Sequence, residues 1–396
     1  MSLMMSMRVA APVSAIVVLW ACGPRIPPGQ PFPAGSLWVA PPRPALPAGA
    51  DSNDATAYFT YGALHLYADP DTAAAAFYWA TRLDPWRADA YYARAVALVR
   101  SLMEPTGVMK IWVPKRRLRE NELQVIDSLY HLAYDLNPFI DRRYDHLLGP
   151  PVVLLICDRV LNVKSAGLCF LHKGDYVMAA RRLGDALKKK PKDIDLHYLR
   201  AQAFFRLFQF DSAARDLNVL ADSLEKRQIK KAMMYVSRAA IFYAQGMAYT
   251  EFGDTTKARE AYERALVEDL SFHMASVRLA GHALTVGDTA AALSHLAHSI
   301  GVKPADAPLR LYYGVLLAQR NQRREAADQY LRAIDINPYY APPYMHLGHL
   351  LERSDRENAI TSYQIYLERA ARSDTTREWV AERLRRLQPA SKDSLE

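Results

Sequence analysis

From residue 55 onward, apolar side chains fall three and four positions apart, in short stretches that come in pairs. That spacing predicts amphipathic helices rather than strands. The pairs recur. Gly246, Tyr249, Gly253, Ala258, Tyr262 and Ala265 set a template, and Ala280, Ala283, Gly287, Ala292 and Leu296 repeat it 34 positions later. Gly167, Phe170, Gly174, Ala179 and Leu183 form another copy, as do Gly314, Leu317, Ala326, Tyr330 and Ala333. Ala201, Phe204, Ala213 and Leu217 supply one more, and weaker copies start near Tyr58, Tyr91, Tyr144 and Tyr344. Small residues at the recurring positions predict two antiparallel helices whose axes come close. Asn137-Pro138, Lys190-Pro191, Lys303-Pro304 and Asn337-Pro338 predict where second helices stop, because proline cannot donate the next helical hydrogen bond.

This pattern resembles the tetratricopeptide repeat over residues 55–372. The resemblance implies an all-α chain: a right-handed α-solenoid of about eight helix-turn-helix units. Residues 373–388 are expected to form a C-terminal capping helix, with Thr375 and Glu378 as a capping box and Val380, Leu384 and Leu387 on the covering face. Residues 389–396 are a tail. One unit departs from the pattern. Ala95 to Ile126 is 31 positions where Gly246 to Ala258 is 12, so an insertion falls at about 103–120. Its Trp112, beside Lys115, Arg116 and Arg117, makes a candidate docking loop.

By the same resemblance, the first helix of each unit lines an inner groove. Phe59, Tyr92, Lys164, Tyr198, Tyr243 and Met345 are expected to face it, with Phe205, Arg206, Met247 and His349 further along. An aromatic ladder with polar tips suits an extended or helical peptide, so a protein or peptide partner is expected. The lysine and asparagine clamp with which some family members hold a C-terminal carboxylate is matched only by Lys164.

The first fifty residues differ. The apolar run Val9–Trp20 follows Arg8 and is too short to cross a bilayer, but has the form of an export signal. Leu19, Ala21 and Cys22 resemble the lipobox of bacterial lipoproteins, with Trp20 as a departure. That likeness implies removal of residues 1–21, lipid on Cys22, and attachment to the envelope membrane through it. Gly23, in place of the aspartate that retains such proteins at the inner membrane, implies the periplasmic face of the outer membrane. Residues 22–50 are then an acylated cysteine and a proline-rich linker.

Composition narrows function further. The 396 residues are 51% hydrophobic and 23% charged, which excludes wholesale disorder, and the net charge of +8 favours anionic surfaces. Lys188, Lys189, Lys190 and Lys192, and Lys226, Arg227, Lys230 and Lys231, suggest contact with an anionic envelope polymer. Nucleic acid is not expected, since no recognition motif is present. Catalytic signals are weak. Ser223 and Lys226 fit Ser-x-x-Lys without its companion motifs, and the pairs His295/His298 and His346/His349 lack a third metal ligand. The expectation is a non-catalytic envelope adaptor or scaffold without cofactor or metal. A polysaccharide- or peptidoglycan-binding module, with tyrosines stacking on sugars, is the alternative, and a cryptic hydrolase a second. Cys157 and Cys169 are expected to be buried thiols, because twelve residues of one helix would separate them beyond disulfide reach.

Overall fold

The computed structural model describes residues 40–106, 111–115, 119–140, 163–227, 231–233 and 236–388. The leader with Cys22, and the weak repeat at Tyr144, lie outside these residues. Among the described residues, eight antiparallel helix pairs follow one another. They are α1 (Ala55–His65) with α2 (Pro70–Leu83), α3 (Ala88–Ser101) with α4 (Glu120–Leu136), and α5 (Val163–Lys173) with α6 (Tyr176–Lys189). Next come α7 (Ile194–Arg206) with α8 (Phe210–Arg227), α9 (Arg238–Phe252) with α10 (Thr255–Glu268), and α11 (His273–Thr285) with α12 (Thr289–Val302). The last pairs are α13 (Ala307–Gln319) with α14 (Arg323–Ile336) and α15 (Pro342–Leu351) with α16 (Arg356–Arg369), closed by α17 (Thr376–Leu387).

The recurring small residues do what close helix packing requires. A Cβ on Gly246 would fall 2.4 Å from the Tyr262 ring, one on Gly314 2.7 Å from Tyr330, and one on Gly348 2.7 Å from Tyr363. Each large ring therefore lies flat over a helix that has no side chain there. Second helices stop where expected, with Lys190, Lys303 and Asn337 as C-caps. The turn between paired helices repeats too. Gly174, Gly253 and Gly287 hold positive φ there, and in two units Phe208 (φ 59°) and Asn321 (φ 61°) take that place. In each, the next residue's N–H reaches back to a carbonyl near the end of the first helix, for example from Asp254 to Tyr249 and from Gln209 to Phe204.

Three expectations change. The insertion forms a short antiparallel hairpin, β1 (Met103–Thr106) on β2 (Ile111–Pro114), in the register Met103 opposite Pro114. A second small ribbon, β3 (Lys231–Met233) on β4 (Val236–Ser237), precedes α9. The capping box at α17 is not made. Asp374 Oδ1 accepts from the Thr376 N–H at 2.8 Å and caps the helix, while Val380, Leu384 and Leu387 do cover the last unit. Finally, the proline-rich stretch is not all linker. Its end, from residue 40, lies on the first unit: the Pro41 carbonyl accepts from Trp79 Nε1 at 3.2 Å, and the Arg43 guanidinium sits over the Trp79 ring at 4.9 Å.

The solenoid also closes on itself. Trp86, after α2, donates to Asp306 Oδ2 at 3.3 Å and stacks on Tyr312 with centroids 5.3 Å apart. Asn337 Nδ2 donates to the Arg82 carbonyl at 2.7 Å, and Trp79 meets Tyr339 edge-on at 4.9 Å. Beside them, Arg372 donates to the Gly49 carbonyl at 3.1 Å and pairs with Asp51. Burial works against charge on Asp51, but the Arg372 N–H and guanidinium hold its carboxyl below the ordinary value. The first unit thus touches the last two across a seam of aromatic and polar contacts.

Candidate peptide-binding surface

Of the side chains expected to line a groove, most are interior. Tyr198 and Tyr243 are fully buried, Tyr92 is 3% exposed and Phe59 9%. The reason is lateral: the neighbouring element covers each ring. Tyr92 packs edge-on against Tyr130 and Tyr134, Phe59 tilts on Phe77 under the Arg87 guanidinium, and the Tyr243 hydroxyl accepts from Arg278 Nε at 3.3 Å. Met247 and Met345 are half-buried against the core. His349 is exposed beside Trp379 and Glu352. The Lys164 side chain lies outside the described part, as do those of Trp112, Arg116 and Arg117; Lys115 is exposed, its N–H donating to the Leu102 carbonyl at 3.0 Å.

At α7, however, the predicted ladder is gripping something. Tyr198 OH donates to the Pro138 carbonyl at 2.6 Å, and Gln202 Nε2 donates to the same oxygen at 3.2 Å. One turn on, Arg206 Nη2 donates to the Phe139 carbonyl at 2.7 Å, and the Phe205 ring stacks on Phe139 at 3.8 Å with an interplanar angle of 9°. The bound stretch is the chain's own Asn137–Ile140, which follows α4. Phe139 and Ile140 are buried there, at 1% and 3% exposure. Three side-chain donors on one helix face thus hold two consecutive backbone carbonyls. Tyr198, Phe205 and Arg206 were legible as ladder positions; Gln202, one helical turn past Tyr198, was missed because a neutral amide carries neither ring nor charge.

A second feature lies between α6 and α7. A cleft of about 640 Å³ is lined by Arg181, Lys188, His197 and Arg200, among others. Behind this lining Asp216 accepts from His197 Nδ1 at 2.8 Å and from Arg200 Nη2 at 2.6 Å and Nε at 2.7 Å. Burial opposes charge on His197, but Asp216 and the Pro191 carbonyl outweigh it and hold the imidazole above its ordinary value. Lys189, Lys190 and Lys192 are exposed nearby in sequence.

The remaining candidates do not converge. Among the described residues no cluster of three or more His, Cys, Asp or Glu is placed to hold a metal. His298 is spent on the Leu270 carbonyl at 2.9 Å, and His346 lies against Tyr330. Cys169 corrects its expectation: it is disulfide-bonded. Cys157 lies outside the described residues.

Residues 243–297, spanning α9 to α12, match the family model described as tetratricopeptide repeat. The fold is a tetratricopeptide-like solenoid. Solved structures with some similarity include the C-terminal part of a TPR repeat-containing protein from Cytophaga hutchinsonii, 14% identical, covering 57% of this chain and 95% of that one at a TM-score of 0.45. YrrB, titled a TPR protein with an unusual peptide-binding site, is 17% identical over 52% of this chain and 100% of its own, with a TM-score of 0.40. MamA from Desulfovibrio magneticus RS-1 is 21% identical over 50% and 98%, with a TM-score of 0.36.

Proposed function

We propose that this tetratricopeptide-like chain is a non-catalytic adaptor that holds a protein or peptide partner at the bacterial envelope, tied to the membrane through lipid on Cys22. The observation that carries the binding half is the α7 face, where Tyr198, Gln202 and Arg206 hold a turn of backbone through the Pro138 and Phe139 carbonyls. Carbonyl recognition does not depend on the bound side chains, which suits an adaptor. The anchoring half rests on Leu19, Ala21 and Cys22 in the leader, and Gly23 favours the periplasmic face of the outer membrane.

The test is crosslinking of the full chain in native envelopes, with mass spectrometry of residue 22. A reproducible captured partner that is lost on Arg206→Ala, together with acylated Cys22, supports the reading. Unmodified Cys22 removes the anchor, and capture indifferent to every α7 substitution removes the surface.

A second reading draws on the basic cleft of Arg181, Lys188 and Arg200: an anionic envelope polymer as partner. Sugar stacking on the tyrosines is not part of it, since Tyr198 and Tyr243 are enclosed. Retention on purified peptidoglycan that falls with added salt and with Arg181→Ala would favour this polymer over a protein.

A further inference from the structure

Antiparallel pairing sends every turn within a pair to one end of the helices and every turn between pairs to the other. The seam contacts of Trp86, Asp306 and Asn337 belong to the second kind, as does the contact of Gly49 with Arg372 where the chain enters the fold. The turns of the first kind form a separate rim. There Leu64, Val177, Phe208, Phe252 and Val286, one each from the first and the third to sixth pairs, are exposed, from 57% at Phe252 to 80% at Phe208. The seventh and eighth pairs put Arg320, Arg324 and Arg353 in the same place, all of them exposed. Aspartates also occur in these turns, but they are bent back as helix caps: Asp175 accepts from the Met178 N–H at 3.0 Å, Asp254 from that of Lys257 at 3.1 Å and Asp288 from that of Ala291 at 2.9 Å. Their charge is answered by the helix N-termini. Single apolar side chains on a surface need no explanation, but a series at equivalent places in five pairs does. Phe208 sharpens the point, because its φ of 59° is the left-handed conformation that three other units give to glycine. A strained ring facing water is unfavourable unless some surface takes it in.

We propose that this rim rests on a phospholipid bilayer bearing anionic headgroups, with the apolar tips entering the boundary between headgroups and acyl chains and the arginines of the last two pairs set against the anions. The proposal rests on the lipid-anchored reading, which brings a bilayer within reach. The rim lies one helix length from the point of entry, about 20 Å for a helix such as α10. Between Cys22 and the first described residue there are roughly 18 positions of chain, enough to reach up to about 55 Å. The tether therefore does not hold the rim away from the membrane. The form of the surface favours lipid over a protein partner. Tips from successive pairs, kept roughly 10 Å or more apart by helix packing, make no continuous patch; a protein interface needs a packed core, whereas a bilayer takes each tip separately. Docked this way, the seam and the point of entry face away from the bilayer.

The test places the photoreactive amino acid p-benzoylphenylalanine in the full chain, in native envelopes, in place of Phe252 or of Leu270. Leu270 is at least as exposed as Phe252 but lies in a turn between pairs, at the other end of α10. Both sites face solvent, so the fold tolerates the larger ring. Irradiation is expected to give phospholipid adducts at 252, read by mass spectrometry of the peptide that carries it, and about tenfold fewer at 270. In vesicles of phosphatidylethanolamine and phosphatidylglycerol, combining Arg320→Glu, Arg324→Glu and Arg353→Glu should lower the yield at 252 by about threefold or more. No lipid adduct at 252, equal yields at 252 and 270, a yield indifferent to the charge reversal, or an adduct to protein alone overturns the proposal. Acylated Cys22 with no lipid adduct at 252 keeps the anchor and removes the rim, whereas lipid adducts at 252 on a chain unmodified at residue 22 do the reverse.

Discussion

At Phe208 the chain places a bulky residue where three other units use glycine. Its φ of 59° is in the left-handed region, which costs a side-chain-bearing residue roughly 1–2 kcal/mol. The ring recovers little, because it is 80% exposed and touches Phe210 only edge-on at 6.0 Å. Phe208→Gly should therefore stabilise the protein by about 1 kcal/mol, seen as a raised melting temperature; an unchanged or lowered one would show that the ring contributes more than its contacts suggest. His273 presents the opposite case, a titratable group enclosed. Burial, with the Lys303 charge behind it, pushes its imidazole down to about 3. The unfolded chain takes up a proton near the ordinary 6.5 while the folded one does not, so this residue costs stability progressively as pH falls from about 6.5 toward 3. At pH 5 that amounts to about 2 kcal/mol. His197, held above its ordinary value, works the other way: its stability is present in acid and is lost as pH rises through its raised value. Chemical denaturation of wild type and His273→Gln at pH 7.5 and pH 5 separates the two, since only the acid loss due to His273 should vanish in the variant.

Within a unit, stability turns on how closely two helices meet. Gly246 lies under Tyr262, a ring that is 1% exposed and hydrogen-bonded to Thr250 at 2.9 Å, so it cannot swing aside. Gly246→Ala should cost about 1–3 kcal/mol through overpacking, measured as a lower denaturant midpoint with the helical signal retained. This level of organisation was legible in the sequence, because its causes are local. The glycine and the ring that covers it are 16 residues apart, and the Asn-Pro and Lys-Pro stops act on the residue beside them. What the sequence hid was lateral. Tyr198 and Tyr243 carry the spacing of groove residues, yet whether such a ring faces solvent depends on a neighbour from elsewhere in the chain. For Tyr198 the neighbour is Pro138, 60 residues away, and for Tyr243 it is Arg278 and Phe272. No periodicity announces that. The hairpin at 103–114 was similarly visible only as an interruption, because a four-residue strand carries too little alternation to declare itself.

The largest surprise is at the scale of the molecule. Stacked repeats ordinarily touch only their neighbours, so that each end can open independently. Here Trp86 and Asn337 tie the first unit to the seventh and eighth, and burial pushes the Asp306 carboxyl at that contact above its ordinary value. Removing the indole should therefore loosen both ends together. Trp86→Ala is expected to increase the radius of gyration in small-angle scattering and to broaden or split the thermal transition; a compact variant with a single sharp transition would mean that the other contacts suffice. The same arrangement has an architectural consequence. Since Gly49 lies against Arg372, the segment entering the first unit and the turn into α17 are near neighbours. A linker of glycine and serine running back from the end of α17 could then join the two ends of the stack, and fresh termini could be opened at an exposed corner such as Gly253. A protein built from tandem repeats would then tolerate rearrangement of its order as a compact globular domain does.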